Sequence, residues 1–471
     1  NAKTTIASNG GDIIAKGKLN VEDADIWVSA NGSMKIASDT DGTGVAVKVK
    51  GGKAEIFSSE DMVINGDVDI SEITDKSAIQ GGSVTAGKIN IHDNDKDTII
   101  KSTVGNISTK DISIVDNNGK LTAVGAKGGI TTNNGKVNVA NSNLQMVAEN
   151  GDVNLGTGTI TVDNSTTIIS ATNGGIMSGD ITVRDTVGGE TPTELGMAAK
   201  DGSISSGNID LSSNVSLKQI TTKTTGSTAA TDITNGNIKI ADNAKYQANS
   251  AGNYTAGDII ANVAEGSESI AQILADGNIT IQDITAANLA DMFIRSKDGD
   301  IKAGALTLDK VAIKTIDSDT HASVILAENG AITVKDITLT DMATNPTYIQ
   351  AKNDLSSGSI SLKKADANII STDGNVTASG NVKADTSNII MKAGGALTFG
   401  DASDLTNPAL KVNDGSAKIY AKNDILANGN IDVSKADLII HSEEGGVTLG
   451  EETDLTNPAL KVANGSAKIS A

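Results

Sequence analysis

Six consecutive residues, His92-Asp93-Asn94-Asp95-Lys96-Asp97, place carboxylates at alternate positions. Hard cations such as calcium take several oxygen ligands, and loops that bind them space Asp in this way. Asp93, Asp95 and Asp97 are therefore the candidate metal ligands of this chain. The rest of a calcium loop does not follow: Thr98 stands where the sharp turn needs Gly, and Val104 stands where a bidentate Glu would close the shell. Asp39-Thr40-Asp41-Gly42 is a shorter fragment of the same pattern. Solvated turn carboxylates account for both stretches, so the expected cofactor is none, and calcium is the one ion the sequence suggests.

Catalysis has less to build on. The histidines are His92, His321 and His441, none with a partner at motif spacing. No nucleophile elbow, metal-binding His pair or phosphate loop occurs. The chain has no Cys, which excludes disulfides and thiol chemistry. Some enzymes cleave polysaccharides with clustered Asp, but here the Asp residues are scattered through turns. The expectation is no enzyme, with a polysaccharide-cleaving enzyme as the least favoured alternative. Trp27, in Ile26-Trp27-Val28, reads as a packed or half-exposed strand position rather than a stacking platform.

Composition says what must hold these residues. Aromatics are 2% of 471 residues, Gly counts 50 and Pro only 4. The core must then be narrow and aliphatic, since ordinary globular cores lean on large rings. A formal net charge of -20 disfavours nucleic acid and anionic membrane surfaces. No apolar run approaches the roughly 18 residues of a spanning helix, so no direct membrane insertion of this segment is expected.

Internal repetition is the main signal. Asp404 to Val412 recurs letter for letter at Asp454 to Val462, an offset of fifty residues. The same plan runs from Val45 to Ile56. The repeat is clearest over 17–66, 380–429 and 429–471, and residues 1–471 read as one continuous solenoid. Inside it lies a finer motif: Gly, a small or polar residue, then an aliphatic-x-aliphatic pair. Gly87-Lys88-Ile89-Asn90-Ile91, Gly151-Asp152-Val153-Asn154-Leu155 and Gly277-Asn278-Ile279-Thr280-Ile281 are examples. A period of two marks a strand with one buried face. Glycine before each run is expected to supply positive φ at a tight corner. Thr344-Asn345-Pro346, Thr406-Asn407-Pro408 and Thr456-Asn457-Pro458 are expected to bulge from corners, because proline cannot donate to a ladder.

Asn-Gly between alternating runs also suits antiparallel hairpins. Short strands, few rings and a unit half the size of a sandwich domain favour stacked coils. The expected fold is therefore all-β: a right-handed parallel β-helix, or β-solenoid, of about 20 short coils, each taking roughly 20 to 25 residues.

The runs Ala421-Lys422-Asn423-Asp424-Ile425-Leu426-Ala427-Asn428-Gly429-Asn430-Ile431-Asp432-Val433 and Gly374 to Val382 resemble filamentous-haemagglutinin repeats. Those repeats belong to large exoproteins of two-partner secretion, similar in architecture to autotransporter passengers. The resemblance implies a bacterial surface or secreted fibre acting in adhesion, biofilm or cell contact. Its implied partners are host or neighbouring-cell surface glycans or proteins, or copies of itself end to end. A self-assembling filament or surface-layer subunit is the alternative.

Overall fold

The computed structural model describes residues 2–39, 43–188, 192–313, 323–343, 346–401, 403–404, 406–450 and 458–471. The described regular elements are all strands. They form a right-handed parallel β-solenoid of about 19 turns. The chain divides into two compact units, Asn1–Gly236 with Ala244–Ala251, and Asn237–Asn243 with Gly252–Ala471.

A coil of the first unit shows the plan. It consists of a first strand Ile89–His92, a second strand Thr98–Ser102 and a third strand Ile107–Ser108. Each pairs in parallel with its equivalent in the next coil: Ile89 with Ile112, Thr98 with Thr122, Ile107 with Ile130. The second unit repeats the plan, with Ile337–Thr340, Thr347–Ala351 and Leu355–Ser357 pairing onto Ile360–Lys363, Ala367–Ser371 and Val376–Ala378. Parallel pairing excludes hairpins as the unit of construction.

The fifty-residue repeat is two coils, because Leu410, Ile431 and Leu460 lie in register on three successive turns. The Thr-Asn-Pro segments divide between corners. Asn407 and Pro408 lie between the third strand Leu397–Phe399 and the first strand beginning at Leu410. Pro346 instead precedes the second strand Thr347–Ala351. Thr344 and Asn345, and the 454–457 part of the last copy, lie outside the described residues.

Alternation along each strand sends one row inward. Ile89, Ile91, Ile112, Ile114, Val137 and Val139 are all at most 1% exposed. Each such side chain contributes about 1.5–3 kcal/mol when fully buried. Large rings are not kept out of this interior as the expected aliphatic stack would suggest. Tyr246, Tyr254 and Phe399 are fully buried. Tyr246 is accommodated because its hydroxyl donates to Gln219 Oε1 at 3.0 Å and accepts from Asn235 Nδ2 at 2.8 Å. The outward Trp27 is half-exposed, as expected.

Glycine before most runs does not serve as expected, although Gly66 and Gly429 do take positive φ, 148° and 121°. Gly87, Gly135, Gly151, Gly179, Gly207 and Gly277 are absent from the residues of positive φ. They are there for lack of room. A Cβ on Gly135 would lie 1.4 Å from the Lys110 carbonyl oxygen of the coil before it. The left-handed conformation is found at another corner, just after the first strand, and is taken mostly by other residues. Asp93, Asp116, Asn141 and Asn164 have φ of 54°, 54°, 49° and 46°. Asn and Asp tolerate this region because their short polar side chains bond locally.

Candidate functional site

The clearest polar constructions in the molecule run along the stack. After many of the crowded glycines stands an Asp or Asn whose side-chain oxygen accepts the backbone N–H of the equivalent residue one coil on. Asn106 accepts from Gly129 N at 2.8 Å, Asp152 from Gly175 N at 2.8 Å and Asp180 from Asn208 N at 2.7 Å. In the second unit Asn278 accepts from Asp300 N, Asp354 from Asn375 N and Asn375 from Ala396 N, each at 2.8 Å. Corner N–H groups outside the strand ladder are thereby satisfied, which a folded backbone requires. The sequence signal was in the motif, where the residue after Gly is repeatedly Asp or Asn, but period counting had treated it only as a polar spacer.

A second ladder is buried. Asn94 Oδ1 accepts from Ile73 N at 3.0 Å while its Nδ2 donates to Ile70 O at 3.2 Å. Asn117 repeats this one coil later, toward Asn94 N and Ile91 O. Ser142 and Ser165 continue the file, accepting from Asn117 N and Ser142 N at 3.0 Å each. Asn94, Asn117 and Ser142 are at most 1% exposed. Sequence reasoning passed over Asn94 because it lies between two candidate calcium ligands.

That burial decides how the candidate motif is arranged. With Asn94 turned inward, its neighbours diverge. Asp93 reaches back to His92, its Oδ2 lying 2.7 Å from Nδ1. Asp95 accepts from Asn118 Nδ2 on the next coil. Asp97 accepts from Leu121 N at 3.0 Å. The structure therefore does not bring the three carboxylates together, and among the described residues no group of three or more His, Asp or Glu side chains is placed to hold a metal ion. Thr40, Asp41 and Gly42 of the shorter fragment lie outside the described residues, as does His321.

His92 is the titratable centre of this corner. Its Nε2 lies 3.0 Å from Asp69 Oδ1 on the preceding coil, and its Nδ1 faces Asp93. A neutral imidazole has one N–H, so only the protonated ring can donate to both carboxylates. Partial burial pulls its pKa down, but the bonds to Asp93 and Asp69 outweigh it and leave the net shift upward. Asp69 also accepts from Asn90 Nδ2 at 3.0 Å. Beside it, Lys88 pairs with Asp111 at 3.1 Å. Burial pushes the Asp111 carboxyl up, yet the Lys136 N–H and the Lys88 ammonium hold it below the usual range. Asp69, Lys88, Asn90 and Asp111, with Asp67 and Lys136, line a shallow groove of mixed charge on the outer face of the first strands.

Asp404, in the repeated Asp-Leu-Thr-Asn-Pro segment, is likewise bound by its own loop. It accepts from Thr406 Oγ1 at 2.7 Å, Asn407 Nδ2 at 3.0 Å and Asn381 Nδ2 at 2.9 Å, and from the Thr406 and Asn407 backbone. The Thr406 hydroxyl first, and then the two amides, hold its carboxyl far below the ordinary carboxylate range. Both oxygens are spent on closing the loop. His441 Nδ1 lies 2.9 Å from Ser470 Oγ on the last coil. No protein-family model, curated protein or solved structure matches this chain.

Proposed function

We propose that this chain is a structural and adhesive part of a bacterial surface or secreted protein, serving as a stiff stalk or fibre outside the cell. The observation that carries the reading is the pair of axial ladders. Side chains that would otherwise be free for chemistry are committed to joining one coil to the next, so the solenoid itself is the working part. Strong net negative charge keeps such an object soluble and away from nucleic acid. Its partners are cell-surface glycans or proteins met by the outward Thr, Asn and Asp rows.

Small-angle scattering of the purified chain, with adherence of protein-coated beads to cells, tests this reading. An extended profile and saturable adherence are the expected results. A compact profile, or adherence no greater than that of uncoated beads, would overturn it.

A further inference from the structure

The chain contains eleven Asn-Gly pairs. Asparagine is thermolabile, and a following glycine makes it more so, because glycine leaves its own backbone nitrogen sterically free. That nitrogen attacks the asparagine Cγ, a C–N bond forms, and the side-chain nitrogen leaves as ammonia. Water then opens the cyclic imide to aspartate or isoaspartate, so a neutral amide is replaced by a carboxylate. The ring closes only if the glycine can swing toward the side chain.

Coil stacking removes that freedom at most of the pairs. Gly32 N donates to Gly11 O at 3.1 Å, Gly174 N to Lys200 O at 3.2 Å and Gly236 N to Gly207 O at 2.9 Å. Gly66, Gly135 and Gly429 donate within their own corners. Gly151, Gly330 and Gly465 are wedged against a neighbouring coil, where an added Cβ would lie 2.8 Å from Gly129 N, 2.0 Å from Gly299 O and 1.9 Å from Ala436 O. Gly119 differs, since an added Cβ would meet nothing within 4 Å there. Asn118 before it is exposed. The Asn118 corner is also longer than those beneath Asn141 and Asn164, and it puts Asn118 and Gly119 both at positive φ, 45° and 71°.

We propose that Asn118 is a site of spontaneous deamidation, and that coil stacking and corner hydrogen bonds shield the nine pairs described above. Conversion at Asn118 has a structural cost. Its Nδ2 donates to Asp95, and the new carboxylate would face that acid instead.

The test is peptide mapping by mass spectrometry after incubating the folded chain at mildly alkaline pH, alongside the chain in concentrated urea. In urea all eleven pairs should convert at similar rates. In the folded chain Asn118 should convert, and the nine shielded pairs should not. Conversion of Asn150 or Asn329 as fast as Asn118 in the folded chain would overturn the proposal. So would survival of Asn118 while the urea sample converts. Gly119→Ala should slow conversion at Asn118; an unslowed Asn118 would show that it does not react through the glycine nitrogen.

Discussion

Two kinds of corner turn each coil, and they use different chemistry. The corner before a first or third strand is crowded: at Gly135, Gly179 and Gly207 an added Cβ would come within 3 Å of the preceding coil. The corner after a first strand is roomy but left-handed. It holds Asp116, Asn141 and Asn164 in the first unit, and Lys310, Asp341, Lys364, Thr386 and Lys435 in the second. At the first of these corners glycine thus marks lack of space. At the second, positive φ is carried by polar residues that vary freely in charge.

The largest test of that contrast is Gly135→Ala against Gly125→Ala. The first forces the Lys110 carbonyl aside and should cost about 3 kcal/mol or more, as overpacking does. The second enters open space in a strand and should be neutral or stabilising by roughly 0.5–1 kcal/mol. Urea denaturation measures both, and equal effects would break the distinction.

Asn117→Ala comes next. It leaves Asn94 N and Ile91 O without their partner in a buried site, at about 1–3 kcal/mol for each unsatisfied group. Asn117→Ser should recover part of the loss, because Ser142 fills the same role one coil on.

Lys364→Asn probes the left-handed corner directly. Lysine is penalised there by roughly 1–2 kcal/mol, and its ion pair with Asp341 at 3.5 Å is exposed and worth at most about 1 kcal/mol. The substitution should therefore stabilise, by up to about 1 kcal/mol, as read from the denaturation midpoint.

The smallest effect is the pH response of His92. Its folded pKa is raised, so its contribution is complete below the unfolded value of about 6.5 and fades as pH rises through the folded one. A histidine NMR titration should place its midpoint above the unfolded value, and His92→Gln should remove the fall in stability as pH rises through that midpoint. A midpoint at or below the unfolded value would refute the two-carboxylate arrangement. At acid pH the opposite sign applies to Asp404: its lowered pKa stabilises above the unfolded carboxylate value, and that contribution is lost as pH falls.

The fold was legible because the inward rows obey a period of two and the repeat returns every fifty residues. Those features report what each residue does within its own coil. The ladders were not legible for the same reason. Asp152 meets Gly175, and Asn117 meets Asn94, at separations set by coil lengths that vary from 21 to 31 residues. No fixed spacing announces such partners. The candidate calcium residues failed on a local point: alternate Asp residues converge only if the residue between them stays out of the core, and Asn94 does not.

The buried Asn and Ser file also has a mechanical reading. The bonds from Asn94, Asn117, Ser142 and Ser165 to the file's backbone N–H groups each join neighbouring coils, and none reaches further. Tension applied along the stack of a unit would load these bonds and the strand ladders together, one interface at a time. A coil that let go would leave the next interface as strong as before. Stretching would then proceed as a train of similar steps, each releasing about one coil of chain. A protein that must stay attached under flow would yield length gradually and re-form from the coils that remain.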